Sequence, residues 1–83
     1  MHEYSLVQAM FDQIAEAMKQ HGAVAVRRVR VRIGAEAGVE PALFRTAYDV
    51  FRIRTPCADA PLDIVDVAAG DELTLDRLEL EVP

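Results

Sequence analysis

Apolar residues recur at helical spacing in the first quarter of the chain. They are Val7, Met10, Phe11, Ile14 and Met18, with polar residues on the opposite side. Ser5 and Gln8 form the Ser-x-x-Gln pattern of an N-terminal capping box. Gly22 can end the helix in the left-handed conformation. The pattern predicts a helix over residues 5–21, preceded by a short amino-terminal arm, residues 1–4.

The next stretch, "AVAVRRVRVRIG", changes to a period of two. Val29, Val31 and Ile33 alternate with arginines, which predicts a strand with one buried and one solvated face. The adjacent pair Arg27-Arg28 breaks the alternation. This break indicates either a β-bulge or the true start of the strand.

A second helix is predicted to begin at Pro41, because proline is favoured at the first helical position. Its expected apolar face consists of Leu43, Ala47, Val50 and Phe51. Thr55-Pro56 is expected to end this segment.

Two further strands are predicted from "PLDIVDV" and "LTLDRLELEV". A tight turn containing Gly70-Asp71 joins them, and the pair is a plausible hairpin. The alternation in the last strand slips between Leu75 and Leu78.

The resulting order, α-β-α-β-β, predicts an α+β fold with two helices packed on one face of a three-stranded mixed sheet. The first two strands, joined by a helix, run parallel if they are adjacent, whereas the last two run antiparallel. The order of the strands stays open. Arg28, Arg30 and Arg32 are expected on the other face of the sheet, paired with Glu79 and Glu81.

Size and composition narrow the class of protein. A chain of 83 residues corresponds to one domain, and 52% hydrophobic residues suffice for one core. The net charge of −5 argues against nucleic acid and against an anionic membrane surface as partners. The single cysteine, Cys57, has no partner for an internal disulfide, and no signal-peptide pattern is present. These features predict a cytoplasmic location.

The start of the chain, "MHEYS", carries candidate metal chemistry. The Met1 amine, the His2 amide nitrogen and the His2 imidazole can reach one metal ion, and the Glu3 amide can supply a fourth nitrogen. Such a set suits Ni(II) or Cu(II). The reference pKa values of an amine, about 7.7–8.0, and of histidine, about 6.5, make both donors available near neutral pH. From these residues alone, an exposed and merely hydrated histidine remains the stronger interpretation.

The other chemically active residues have structural explanations. His21 in the last turn of the first helix favours the helix dipole. Cys57 lacks a CxxC partner or a nearby base and is interpreted as an unreactive thiol. Glu40, before Pro41, suits the start of a helix. No second catalytic group can be named, so we do not expect an enzyme.

Taken together, several stretches resemble the HypA/HybF family of hydrogenase nickel-incorporation proteins. They are "MHEYS", "VRVRIG", "GVEPALFRTAYDVF", "DAPLDIVDV" and "GDELTLDRLELEVP". The resemblance implies a nickel site with the His2 side chain, the Met1 amine and the amides of His2 and Glu3 as ligands. It also implies that Glu3 tunes this site, and that Glu40 stands where family members can carry an acid near the metal.

The resemblance also implies partners. These are a HypB-like GTPase, the large subunit of a [NiFe]-hydrogenase and, in some bacteria, urease maturation proteins.

One departure from the family is large. Family members carry two CxxC motifs that form a structural zinc site, in a domain inserted between the last two strands. Here "DVAAGDEL" runs across that place, residues 68–72, without any CxxC. A smaller departure is Ala35, where the family often has an acid. We therefore expect residues 1–83 to form a single HypA-like domain that takes Ni(II) and no structural zinc.

Two functions follow from these observations. The intact "MHE" start favours a nickel-binding metallochaperone for [NiFe]-hydrogenase maturation. The missing zinc domain favours a zinc-less adaptor or regulatory paralogue, which binds hydrogenase maturation proteins without delivering metal.

Overall fold

A computed structural model describes the backbone of residues 2–83 and the side chains of residues 3–83. The elements are α1 (His2–His21), β1 (Ala25–Gly34), α2 (Pro41–Phe51), β2 (Leu62–Val67) and β3 (Leu73–Glu81). The predicted α+β fold, with its order α-β-α-β-β, is confirmed. In the described residues, none of the helices has the length and apolar character needed to span a bilayer.

The sheet has the order β2-β1-β3, so β1 is its central strand. β1 pairs in parallel with β2, as predicted, and antiparallel with β3. The predicted hairpin between β2 and β3 is wrong, because these strands lie on opposite sides of β1. The segment 68–72 instead crosses the end of β1. It is held there by the amides of Gly34 and Ala35, which donate to the carbonyl oxygens of Glu72 and Val67.

Two irregularities in the β1–β3 pairing match the breaks in the sequence pattern. One register shift lies between Val26 and Arg28, so Arg27 is the bulged residue that the broken alternation indicated. The second lies where Arg30 pairs with Arg77 but Val31 pairs with Leu75. Asp76 is therefore the extra residue behind the slip in β3. These bulges keep the apolar residues of both strands on the core face.

The core lies between the two helices and one face of the sheet. It is formed by Val7, Met10 and Ile14 of α1, Val26, Val29, Val31 and Ile33 of β1, Phe44, Ala47 and Tyr48 of α2, and Cys57, Ala60 and Leu62. The predicted inner positions of β1 are confirmed. Those of α1 are buried at Val7, Met10 and Ile14, and Phe11 and Met18 are partly buried against the core.

The predicted apolar face of α2 is partly wrong. Leu43 and Val50 are 46% and 53% exposed, whereas Phe44 and Tyr48 are fully buried. The physical reason is that the Tyr48 hydroxyl donates to the Ala60 carbonyl at 2.8 Å. This hydrogen bond satisfies the polar end of the ring, so the whole ring can enter the core.

The predicted start of α1 is also wrong. The helix begins at His2, so residues 2–4 belong to its first turn and Ser5 lies inside it. Two tertiary contacts stabilise this first turn. The Glu3 carboxylate accepts a hydrogen bond from the Glu40 amide at 3.1 Å, and the Tyr4 ring packs on Phe51 with 5.6 Å between centroids. Both partners lie in or next to α2, and a local capping pattern contains no information about them.

Charged pairs do cover the second face of the sheet, but the partners differ from those predicted. Arg28 stands opposite Glu79 in register, yet its guanidinium bonds to Asp63 on β2 at 2.9 Å. Glu81 instead pairs with the bulged Arg27 at 3.1 Å.

Candidate metal centre

Of the predicted metal ligands, the structure describes the backbone of His2 and of Glu3, at the start of α1. Met1 and the side chain of His2 fall outside the described part of the chain. The backbone of His2 opens α1, and Glu3 follows it in the first turn. Glu40 lies immediately before α2. The structure therefore brings the amino-terminal segment and Glu40, far apart in sequence, to the same end of the helical layer.

Glu3 is buried, with 6% of its surface exposed, although it is a charged residue. Its Oε2 accepts a hydrogen bond from the Glu40 backbone amide at 3.1 Å. A buried carboxylate is tolerated only when hydrogen bonds satisfy it. Glu3 thus ties the first turn of α1 to the start of α2.

Glu40 is the N-cap residue of α2, with extended backbone angles and Pro41 after it. Its own Oε1 accepts from the Ala42 amide at 3.2 Å. The capping role predicted for Glu40 is confirmed. Both carboxylates therefore lie at the amino-terminal end of α2, where the helix dipole favours negative charge.

The first amides of α1 lie outside the regular hydrogen-bond pattern of the helix. The first four amides of an α-helix do not donate to a carbonyl four residues earlier. The amides of His2 and Glu3 occupy these positions. Forming α1 therefore does not commit those two nitrogens to the hydrogen-bond ladder of the helix.

Among the side chains from Glu3 onward, no three His, Cys, Asp or Glu residues are grouped so that they could hold a metal ion. Cys57, the only cysteine of the sequence, is fully buried in the core. Burial raises the pKa of its thiol above the ordinary value, outweighing the opposing effects of Tyr48 and Arg52. The geometry agrees with the interpretation of Cys57 as an unreactive thiol, because both access and thiolate formation are disfavoured.

His21 is the last residue of α1 and is exposed, with Lys19 in the same turn. His21 thus lies at the carboxyl-terminal end of α1, the position predicted for it from the helix dipole.

Sequence reasoning missed the structural role of Glu3. Its carboxylate holds a backbone amide thirty-seven positions away. The one available signal was the Glu40-Pro41 helix start, because a helix N-terminus needs hydrogen-bond acceptors from somewhere. That signal predicts that hydrogen-bond acceptors are needed at this helix start, but it does not predict that Glu3 supplies one.

Comparison with known proteins now defines the class. The family model described as "Hydrogenase/urease nickel incorporation, metallochaperone, hypA" matches residues 1–72. This match covers the "MHE" start, both helices, β1 and β2. The chain belongs to the HypA family.

Individual relatives agree with this assignment. The hydrogenase maturation factor HypA of Shewanella oneidensis is 42% identical over 62 residues, covering 75% of this chain and 52% of the relative. The HypA of Wolinella succinogenes is 39% identical over 64 residues, covering 77% and 54%. The chain thus spans about half the length of the curated relatives that it matches.

Solved structures show the same fold. The solution structure of the Ni metallochaperone HypA from Helicobacter pylori superposes with a TM-score of 0.88 at 25% identity, covering 98% of both chains. A second HypA solution structure gives a TM-score of 0.67 at 32% identity, covering 93% of this chain and 71% of the other.

Proposed function

We propose that this protein is a nickel-binding metallochaperone that serves the maturation of [NiFe]-hydrogenase. The observation that carries the proposal is the family match over residues 1–72, which includes the Met1-His2-Glu3 start. Relatives that carry the name hydrogenase maturation factor support the class of client.

The proposed ligands are the Met1 amine, the His2 imidazole, and the backbone nitrogens of His2 and Glu3. The helical start supports this set in a way that an extended arm would not. Helical ψ angles of about −42° keep successive backbone nitrogens on the same side, whereas extended ψ angles of about +135° turn them apart. The amide nitrogens of His2 and Glu3 can therefore close a five-membered chelate ring without large rearrangement.

Glu3 and Glu40 have a supporting role in this proposal. Glu3 holds the first turn in place through the Glu40 amide, so its carboxylate positions the ligand-bearing backbone. The two carboxylates also add negative charge close to the proposed cation site. We assign neither side chain as a direct ligand.

The wider assignments follow the family. We propose that residues 1–83 form a single HypA-like nickel-binding domain, that segment 68–72 occupies the place of the zinc domain, and that no structural zinc is held. The proposed partners are a HypB-like GTPase, the hydrogenase large subunit and, in some bacteria, urease maturation proteins. The chain acts in the cytoplasm as a carrier and not as an enzyme, without binding nucleic acid or membrane.

Calorimetric titration of the untagged protein with Ni(II) tests the site. His2→Ala should abolish high-affinity binding. His21→Ala, which removes the other histidine at the far end of the same helix, should leave binding unchanged. A residue added before Met1, or acetylation of the amine, should act like His2→Ala, because each alters the amine ligand.

Binding should weaken as the pH falls through about 8 to 6, since protons compete for the amine and the imidazole.

Equal stoichiometry and affinity in the parent and His2→Ala proteins would contradict the proposal. The zinc-less adaptor would then be the better description.

A further inference from the structure

The face of the sheet opposite the helices carries a cluster of arginines. We define the arginine face as the part of this surface that is formed by Arg28, Arg30, Arg32, Arg77, Asp63, Asp76, Glu79 and Val65. The Arg27–Glu81 ion pair lies beyond it on the same face of the sheet. The alternation of β1 places its arginines there, because the intervening Val29, Val31 and Ile33 lie in the core beneath both helices.

Charge is distributed unevenly between this face and the rest of the molecule. Four arginines and three acids give the arginine face a formal charge of +1. The remaining five basic and eleven acidic residues leave the rest of the chain at −6, within the total of −5. The arginine face therefore carries a small positive formal charge on an otherwise acidic protein.

Three of the four arginines have acidic partners on this face. Arg28 bonds to Asp63 at 2.9 Å, and Arg77 bonds to Glu79 at 3.2 Å. Arg32 lies 4.0 Å from Asp76, at the limit of an ion pair. These contacts use the acids of the face, so they leave no carboxylate dedicated to the fourth arginine.

Arg30, at the centre of the face, is that fourth arginine. It forms no ion pair with any residue that the structure describes, and its buried Nε has no hydrogen-bond partner there. Its register partner on β3 is Arg77, another cation. Like charges directly opposite on neighbouring strands are destabilising, and so is a buried donor without an acceptor.

We propose that the arginine face is a docking surface for an acidic segment of a partner protein, with a carboxylate of that segment bound by Arg30. A carboxylate can accept two parallel hydrogen bonds from one guanidinium. It would also offset the repulsion between Arg30 and Arg77. The carboxylate would bind the terminal nitrogens of the Arg30 guanidinium, because the Nε of Arg30 is shielded from solvent.

The composition of the face favours a peptide over a nucleic acid. Three carboxylates lie between the arginines, and they would repel a continuous run of phosphates. Val65, 36% exposed, supplies apolar surface on the same face, which suits a protein segment of mixed character.

The test uses the metal-free, ¹⁵N-labelled chain, so it is independent of nickel binding. The probe is a short synthetic peptide rich in aspartate and glutamate, blocked at both ends, titrated at low salt. Resonances of β1 and β3 and the Arg30 Nε–H signal should shift, and the effect should fade as salt is added. The matched peptide with asparagine and glutamine should not produce these shifts.

Arg30→Gln should weaken peptide binding about tenfold or more. Arg77→Gln provides a second variant in case the first does not fold, and it should weaken binding as well. Lys19→Gln, the same change of charge on α1, should leave affinity unaltered within about twofold. A single-stranded oligonucleotide of equal charge should bind more weakly than the peptide.

Four results would overturn the proposal. They are shifts confined to the helices, unchanged affinity in the folded arginine variants, tighter binding of the oligonucleotide, or no binding of the acidic peptide at millimolar concentration.

Discussion

At the scale of single residues, Glu3 connects the start of the chain to the rest of the fold. Its buried carboxylate accepts the Glu40 amide, while the Glu40 side chain caps the next turn through Ala42. Each of the two acids therefore accepts a hydrogen bond from a backbone amide at the amino-terminal end of α2. The residue next to the proposed histidine ligand is thus also a structural anchor.

Glu3→Ala should lower the free energy of unfolding by about 1–3 kcal/mol, because it leaves the Glu40 amide without its acceptor in a partly buried place. Glu3→Gln should cost less, since the amide oxygen can still accept. Urea denaturation followed by circular dichroism measures both. Glu16→Ala, on the exposed side of the same helix, is the matched control and should change stability by less than about 0.5 kcal/mol. A loss no larger for Glu3→Ala than for the control would show that the anchor contributes nothing.

Nickel binding should respond differently to these two substitutions. The proposed ligand from Glu3 is its backbone nitrogen, which every variant retains. Glu3→Gln should therefore have a milder effect on Ni(II) affinity than His2→Ala.

At the scale of elements, the segment between β2 and β3 is the least expected feature. It passes over the end of β1, where Gly34 donates to Glu72, and Glu36 donates to Gly70 at 2.8 Å. The Glu36 carboxylate in turn accepts from the Gly70 amide. Segment 68–72 is thus bonded to the loop that leads into Glu40 and α2.

Close approach of the two backbones explains why glycine stands at position 34. A Cβ there would lie 2.3 Å from the Gly70 carbonyl oxygen, which is a backbone atom and cannot rotate away. Gly34→Ala should therefore destabilise the protein by about 1–3 kcal/mol. It should also speed hydrogen exchange at the Gly34 and Glu36 amides, because the crossing segment must move.

Gly38→Ala serves as the comparison. Gly38 has a φ of +71°, and no atom lies within 4 Å of the position that a Cβ would take, so its substitution introduces backbone strain without a clash. Its effect on hydrogen exchange should stay near residue 38. Unchanged exchange at Gly34 and Glu36 in Gly34→Ala would contradict the close crossing of the two backbones.

At the scale of the whole molecule, apolar packing and the hydrogen bonds of the sheet hold the fold together. Among the side chains that the structure describes, no cluster of metal-binding residues links the elements. The core joins both helices to β1, and β1 is hydrogen-bonded along both sides. Each element thereby has a partner within the chain.

The purified protein should therefore keep its helical circular dichroism signal and its thermal midpoint after treatment with a chelator and dialysis. A structural metal would contribute directly to folding free energy, so its removal would unfold the domain. Loss of the helical signal on chelation would show that a metal supports the fold.

The sequence by itself determined the elements and most of their inner faces. Periodicity reports on neighbours one turn or two residues away, which is why it indicated β1 and showed two breaks in the alternation, of which the one at Arg27-Arg28 fitted either a bulge or the start of the strand. The Pro41 start of α2 follows from the local preference for proline at the first helical position. The candidate nickel ligands are likewise consecutive residues, so "MHE" shows them directly, and their role remains a prediction.

Only the tertiary structure decided the strand order, the start of α1 and the burial of Phe44 and Tyr48. Each depends on a contact between distant residues: Gly34 with Gly70, Glu3 with Glu40, and Tyr48 with Ala60. A short link with Gly-Asp is compatible with a hairpin as well as with a segment that crosses the end of β1. Hydropathy ranks leucine above tyrosine as a core residue, so it does not predict the burial of Tyr48. The physical reason is that local patterns specify which face of an element is apolar, whereas packing selects the partner that covers it.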